Sequence, residues 1–369
     1  MAVSRDAAAP TPALWSIPRG LIVLLAVAAA VIAITGVKAF SGIVGPTFLA
    51  LMLTVAVQPV QSWVRRRGWP NWAGMALALI AAYLIVLGLL AVLVVSVGQL
   101  ATELPGYSSR FDELLDGARS VLGDLGIGGE QIRDMLSGLD FHQLVTLLQS
   151  VLRELAGVLS NLVFVLALLL FMAFDAMSIG RRVQIVEALR PDIAYALGAF
   201  AAGTRRYLVV STVFGLIVGV FDGVGLWLFG VPLPVLWAVL SFITNFIPNI
   251  GFVLGLAPPA LLALLDGGPR LMLWVIVFYC VVNFVIQSVI QPKFVGDAVG
   301  LSVTVTFLAL IFWSWVLGAL GALLALPLTL LLKAVLLDID PSTRWLSALI
   351  STAPDSEPDP EIPRPKETS

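Results

Sequence analysis

Apolar stretches long enough to cross a membrane recur along the whole chain, at residues 21–37, 42–60, 73–98, 155–174, 207–229, 233–265, 271–290 and 301–336. About 20 apolar residues in a helix match the ~30 Å hydrocarbon core of a bilayer. Lipid offers no water to peptide N–H and C=O groups, so each segment must satisfy its own backbone. The composition agrees: 59% of residues are hydrophobic, 12% are charged and the mean hydropathy is +1.01, whereas soluble domains carry about 25% charged residues. This is the sequence of an integral membrane protein. A formal net charge of -2 gives no sign of nucleic-acid binding, and the single cysteine, Cys280, excludes an internal disulfide or a cysteine-rich metal site. The first apolar run follows Arg5 and Arg19 without a small-x-small cleavage site and reads as a retained signal-anchor.

Orientation follows from the Lys/Arg bias of short loops. Arg65, Arg66 and Arg67 follow the second run, and Arg181, Arg182, Arg190, Arg205 and Arg206 lie between the fourth and fifth; both regions are expected in the cytoplasm. Residues 101–152 carry Arg110, Arg119 and Arg133 against Glu103, Asp112, Glu113, Asp116, Asp124, Glu130, Asp134 and Asp140, and are expected outside. Cytoplasmic termini satisfy these assignments, in a membrane crossed several times. The last third leaves two topologies open. Either 233–265 and 301–336 each cross once and Lys293 lies outside, or each is a re-entrant hairpin, with Lys293 inside and Asp266 and Arg270 outside.

The expected organisation is a cytoplasmic tail over 1–19, N-terminal transmembrane helices over 20–100, an extracytoplasmic helical segment over 101–152 and a transmembrane helix over 153–178. An amphipathic cytoplasmic connector over 179–206, a C-terminal transmembrane core over 207–337 and a tail over 338–369 complete it. The proline-rich acidic end of that tail cannot bury a core. In the external segment Phe111, Leu114, Leu115, Ala118, Val121 and Leu122 form a helical stripe, as do Leu144, Leu147, Leu148, Val151 and Leu152. Both stripes need a partner, and a second subunit would supply one. The fold class is therefore all-α, a polytopic helical membrane protein of about seven or eight segments, with broken or re-entrant helices and a small extracytoplasmic insertion.

Two places concentrate polar chemistry inside apolar runs. The run Val231–Leu265 breaks at Asn245-Phe246-Ile247-Pro248-Asn249-Ile250-Gly251. Proline removes a helix hydrogen bond and glycine relaxes the chain, so Asn245, Pro248, Asn249 and Gly251 are candidates for contacting a solute through amides and freed peptide groups; an ordinary proline kink is the plainer alternative. Asn283, Gln287 and Gln291 recur at i, i+4 and i+8, followed by Pro292 and Lys293. This stripe must face protein or water, as a path lining or as glue between helices. Gly215, Gly219 and Gly223 form a ridge for close helix approach, and Gly318, Gly321 and Pro327 mark another packed or bent site. Asp222, beside the first ridge, is a candidate for ion coupling, or else sits in external water near the span's end. Lys38 and Asp175 lie at span ends, His142 stands alone without a metal or catalytic role, and Cys280 reads as a small core residue. No phosphate-binding Gly-x-x-x-x-Gly-Lys-Ser/Thr loop, nucleophile elbow or His-Glu-x-x-His occurs. Neither an enzyme nor a cofactor is expected.

The order and spacing of several motifs carry a resemblance. Val231-Pro232-Leu233-Pro234 precedes Trp237 and the 245–251 break, Gln291-Pro292-Lys293 precedes Gly300-Leu301-Ser302, and Gly318-x-x-Gly321 precedes Leu324-Ala325-x-Pro327. Over nearly its whole length the chain resembles the autoinducer-2 exporter-like family of bacterial transporters. Where that family often has an aromatic residue after Ile-Pro, this chain has Asn249, which makes the break more polar. The resemblance implies a secondary or passive transporter; members have been linked to export of the signal autoinducer-2 and others to sodium/proton antiport. The expected function is permeation or export of a small polar solute, a signalling molecule such as autoinducer-2 included, or ion-coupled antiport, by a homo-oligomer in lipid. A membrane scaffold acting through residues 101–152 and an oligomeric channel are the alternatives.

Overall fold

The computed structural model describes residues 18–124, 141–248, 250–291 and 301–340. The expectations for Asn249 and Lys293, for the loop after Asp124 and for both chain ends lie outside the described residues.

Helix α1 (Arg19–Ala39) meets α2 (Ser41–Arg66) at Phe40, and α3 (Asn71–Glu103) returns alongside. Ala50 and Val57 of α2 pack on Ala78 and Ala82 of α3 and on Val165 and Leu169 of α5 (Phe141–Leu189). The Tyr83 hydroxyl donates to the Leu166 carbonyl at 2.7 Å and ties that trio together. At 1.5 Å per residue α3 is about 50 Å long, so it extends beyond the bilayer core. Pro105 turns it through a short 3-10 helix, Leu104–Tyr107, into α4 (Ser108–Asp124). Helix α6 (Pro191–Leu228) follows α5 after a break at Arg190. The connector expected over 179–206 is therefore not one element. Proline fits the first helical turn, where its missing N–H costs nothing, so Pro191 starts α6 in mid-connector.

Two short hairpins complete the fold. Gly230 (φ 75°) and Leu233 (φ 59°) turn the chain, and Pro234 opens α7 (Pro234–Thr244). The Trp237 indole donates to the Pro232 carbonyl at 3.0 Å and locks this corner. Eleven residues reach only about 17 Å. The chain reverses over 245–250 into α8 (Gly251–Asn283), whose first arm runs back along α7. That return depends on glycine: a Cβ at Gly251 would fall on the Thr244 carbonyl, and one at Gly255 would lie 2.9 Å from the Thr244 hydroxyl. On the other side α7 lies against α6, where Cβ atoms at Gly215, Gly219 and Gly223 would stand 3.2 Å from the Phe242 carbonyl, 2.7 Å from the Ala238 carbonyl and 2.8 Å from the Ala238 Cβ.

Residues 234–266 thus run out and back as two packed arms, α7 and the first arm of α8. The returning arm brings Asp266 to the corner beyond α3, where the Tyr107 hydroxyl donates to its carboxylate at 3.0 Å. Burial pushes the Tyr107 phenol up to about 12, and the bond to Asp266 adds to the rise; it remains a donor at any physiological pH. At Gly268 (φ 76°, ψ -172°) α8 bends, and its second arm continues into a π-helix, Phe284–Ile290.

The second hairpin enters from the opposite end of α6. Ser302 caps α9 (Val303–Leu317), accepting from the Val305 N–H at 3.4 Å, and Gly318 (φ 67°) reverses the chain into α10 (Ala319–Leu323) and α11 (Ala325–Lys333). A Cβ at Gly321 would strike the Trp313 carbonyl, and the Trp313 indole donates to Thr329 Oγ1 at 3.0 Å across the hairpin. Its base, at Leu330 and Ala334, packs beside Ala196, Phe200 and Gly203, whereas the base of the first hairpin, at Pro234, packs beside Gly223. Phe246, at the first tip, rests on the apolar cluster that includes Val316, Leu317 and Leu324. Five described helices are long and apolar enough to cross a membrane, or six with the bent pair 162–176 and 178–189. The returning arm of the first hairpin is part of one of these, Gly251–Ile290, while α7 and α9 are shorter apolar helices.

Candidate functional site

The polar groups of the first hairpin meet those of α6 and α8 around a small cavity of about 10 Å³, close to the space one water needs. Helix α6 contributes Asp222, which is 1% exposed. Ser241 and Thr244 come from α7, with Asn245 at its end, and Tyr279 and Asn283 from the second arm of α8. Gly255, without a side chain, keeps the wall next to Thr244 and Ser241 open. Both carboxylate oxygens of Asp222, the Ser241 hydroxyl and the Tyr279 hydroxyl are buried without a hydrogen-bond partner among the described residues. Buried polar groups are nearly always paired, so several orphaned oxygens around one cavity identify it as a ligand or water position.

An amide network closes one side. Gln287 Nε2 donates to Asn283 Oδ1 at 2.8 Å and, at 3.5 Å, to Asn245 Oδ1. Asn283 Nδ2 donates to the Tyr279 carbonyl at 2.9 Å, and Asn245 Nδ2 to the Ser211 carbonyl at 3.1 Å. Gln287 lies in the π-helix, a geometry often found at functional positions. Beyond the network lies an open groove of about 630 Å³ lined by Phe252, Cys280, Asn283, Phe284, Gln287 and Ser288, within the usual range for small-molecule sites. Phe252, Asn283 and Gln287 border both spaces. The groove can hold a solute, and the cavity only a water or a small ion.

Of the residues singled out in the sequence, Asn245, Gly251, Asp222, Asn283 and Gln287 come together here. Gly215, Gly219 and Gly223 back α7 from behind, and Gly318, Gly321 and Pro327 belong to the second hairpin. Pro248 lines neither space. Four expectations change. Peptide groups at the break are not left free: the N–H groups of Asn245, Phe246, Ile247, Ile250 and Gly251 each find a carbonyl, and the Tyr207 hydroxyl donates to the Phe246 carbonyl at 2.6 Å. A tight reversal satisfies its own backbone, so side chains carry the polarity. Gln291 lines neither space. Cys280 is exposed in the groove rather than packed in a core. Asp222 is sealed inside rather than open to external water.

Ser241, Thr244, Phe252, Gly255 and Tyr279 were missed. A signal existed for two of them: Tyr279 extends Asn283 and Gln287 back by one turn, and Gly255 follows Gly251 at i+4. Ser241 and Thr244 gain meaning only from the fold.

Comparison with known proteins shows the family of the chain. The family model described as AI-2E family transporter matches residues 21–340. "Putative transport protein YhhT" of Escherichia coli (strain K12) is 29% identical over 316 residues, covering 85% of this chain and 90% of that protein. The "AI-2 transport protein TqsA" of the same organism is 29% identical over 317 residues, covering 86% of this chain and 92% of that protein. A "Putative transport protein" of Haemophilus influenzae is 28% identical over 337 residues, covering 90% and 97%.

Proposed function

The chain belongs to the AI-2E family of transporters, and from that premise we propose that it is a secondary transporter of a small, neutral, polyol-like solute. One observation carries the reading: Asn283 and Gln287 are shared between an open groove of solute size and a small cavity bordered by a buried carboxylate. Amides both donate and accept, so a solute rich in hydroxyls can exchange water for Asn283, Gln287 and Ser288 without burying a charge. Groove residues Phe252 and Phe284 would cover its apolar faces. A relative is named as an AI-2 transport protein, and autoinducer-2 is a solute of this chemistry.

Asp222 would couple the movement, since occupancy of the cavity bears on Asn283 and Gln287 directly. Left-handed residues flank the first hairpin at Gly230, Leu233 and Gly268, giving it hinges at both ends. Discontinuous helices around a buried polar site are the usual construction of secondary transporters. In proteoliposomes, Asn283→Leu/Gln287→Leu should abolish saturable solute flux while Gly198→Ala, outside both spaces, keeps it. Wild-type flux in the double variant would refute the groove as the path.

A further inference from the structure

We infer that a second groove, between α3, α6 and α7, is a binding site for one acyl tail of a membrane phospholipid. Its volume is about 700 Å³, within the range that holds a drug-sized ligand. Ile85 lines it from α3, Leu216 and Val220 from α6, and Val235 and Val239 from α7. Leu216, Val220 and Val235 are each more than half exposed. Both α3 and α6 belong to stretches of spanning length and composition, so their uncovered faces meet hydrocarbon. No charged or amide side chain occurs among the described lining residues. A polar solute or a headgroup finds no partner there, whereas a hydrocarbon tail needs none.

Length separates a tail from a helix of a second copy. Helix α7 walls the groove for its eleven residues, about 17 Å. An acyl tail reaches through half of the ~30 Å hydrocarbon core, about 15 Å, while a spanning helix needs the whole of it. At the deep end stands Phe242, whose ring meets that of Phe246 edge-on at 5.6 Å, beside the reversal after α7. Trp227 stands at the other end, in the last turn of α6, and tryptophan favours the level where tails join headgroups. Close helix approach in a membrane depends on small residues. The glycines here, Gly219 and Gly223, are already taken by α7, since a Cβ at either would lie 2.7 or 2.8 Å from an Ala238 atom. The rims carry branched side chains instead, Ile85, Val220 and Val235 among them. These would hold a second helix off and leave voids beneath it, whereas a flexible tail fills the space between them. Seated there, the tail covers the Val235–Val239 side of α7 and completes the packing of the short helix that carries Ser241 and Thr244.

The site is tested on the full-length protein in phosphatidylcholine vesicles doped with a phosphatidylcholine whose tail carries a diazirine near its middle. After irradiation, the labelled residues are mapped by peptide mass spectrometry. Leu24 and Ile32 of α1, exposed by 68% and 72%, report ordinary contact with the bilayer. The expected result is several-fold more label on Leu216, Val220 and Val235 than on these two. That excess should vanish from Leu216 in Val220→Trp and in Val235→Trp, whose indoles would occupy the groove, with α1 labelled as before. The two variants lie on different helices at exposed positions, and the parent's labelling pattern stands as evidence without them. Label that merely follows exposure, or an excess that survives in both folded variants, overturns the site. Labelling by a diazirine fatty acid but not by the phosphatidylcholine overturns the phospholipid source. Cross-linking between copies of Val220→Cys/Cys280→Ser in the same vesicles gives the groove to a second copy and overturns it as well. None of these outcomes depends on solute flux.

Discussion

Replacing Gly219 by alanine tests the close approach on which the first hairpin is built. Its new Cβ would sit 2.7 Å from the Ala238 carbonyl oxygen and 3.4 Å from the Phe242 Cβ. Comfortable contacts lie near 3.5 Å, so α7 must retreat by roughly 0.5–1 Å, and a backbone carbonyl cannot rotate aside as a side chain can. Overpacking of this kind costs about 1–3 kcal/mol. Alanine recovers about 1 kcal/mol of helix propensity over glycine, which leaves α6 with a net loss of up to about 2 kcal/mol. Gly198, on the same helix, is the control: it is exposed and a Cβ there meets nothing within 4 Å, so Gly198→Ala should gain up to about 1 kcal/mol. Thermal unfolding in one detergent should rank Gly198→Ala at or above the parent and Gly219→Ala below it by a few degrees. A Gly219→Ala protein that melts with Gly198→Ala would mean that α7 does not lie on α6 at this distance.

Two further outcomes follow from named contacts. In a Cys280→Ser background, cysteines placed singly at Tyr107 and Asp266 should react with an impermeant thiol reagent from the same side of the membrane, because the two side chains touch; labelling from opposite sides would eliminate the first hairpin. Tyr207→Phe leaves the Phe246 carbonyl without its 2.6 Å donor and should cost about 1–3 kcal/mol. Amide exchange over 245–251 should rise above the rest of the hairpin, and unchanged exchange there would show that the tip holds itself.

Much of the fold could be read from the chain because each cause was local. Spanning length follows from runs of apolar residues, the corner after α3 from Pro105, the interruption of the last segment from Gly318 and the close packing of α6 from a glycine every fourth residue. The site was legible only in part. Asn283 and Gln287 stand out because amides are expensive in lipid, and Asp222 because a carboxylate is costlier still. Ser241 and Thr244 do not stand out, since a short hydroxyl side chain within a helix can satisfy itself on its own backbone and leaves no pattern behind.

The order of residues alone therefore determined that this protein lives in a membrane, that it is helical and where its segments break, all consequences of one solvent acting on short stretches of chain. Only the tertiary structure decided the direction taken after each break, that α7 turns back instead of crossing. That choice depends on whether the Gly251 and Gly255 backbone fits against Thr244 and Ser241, and on Asp266 reaching Tyr107 from far along the chain. It also decided which oxygens are left without a partner, because that depends on every element packed around them at once.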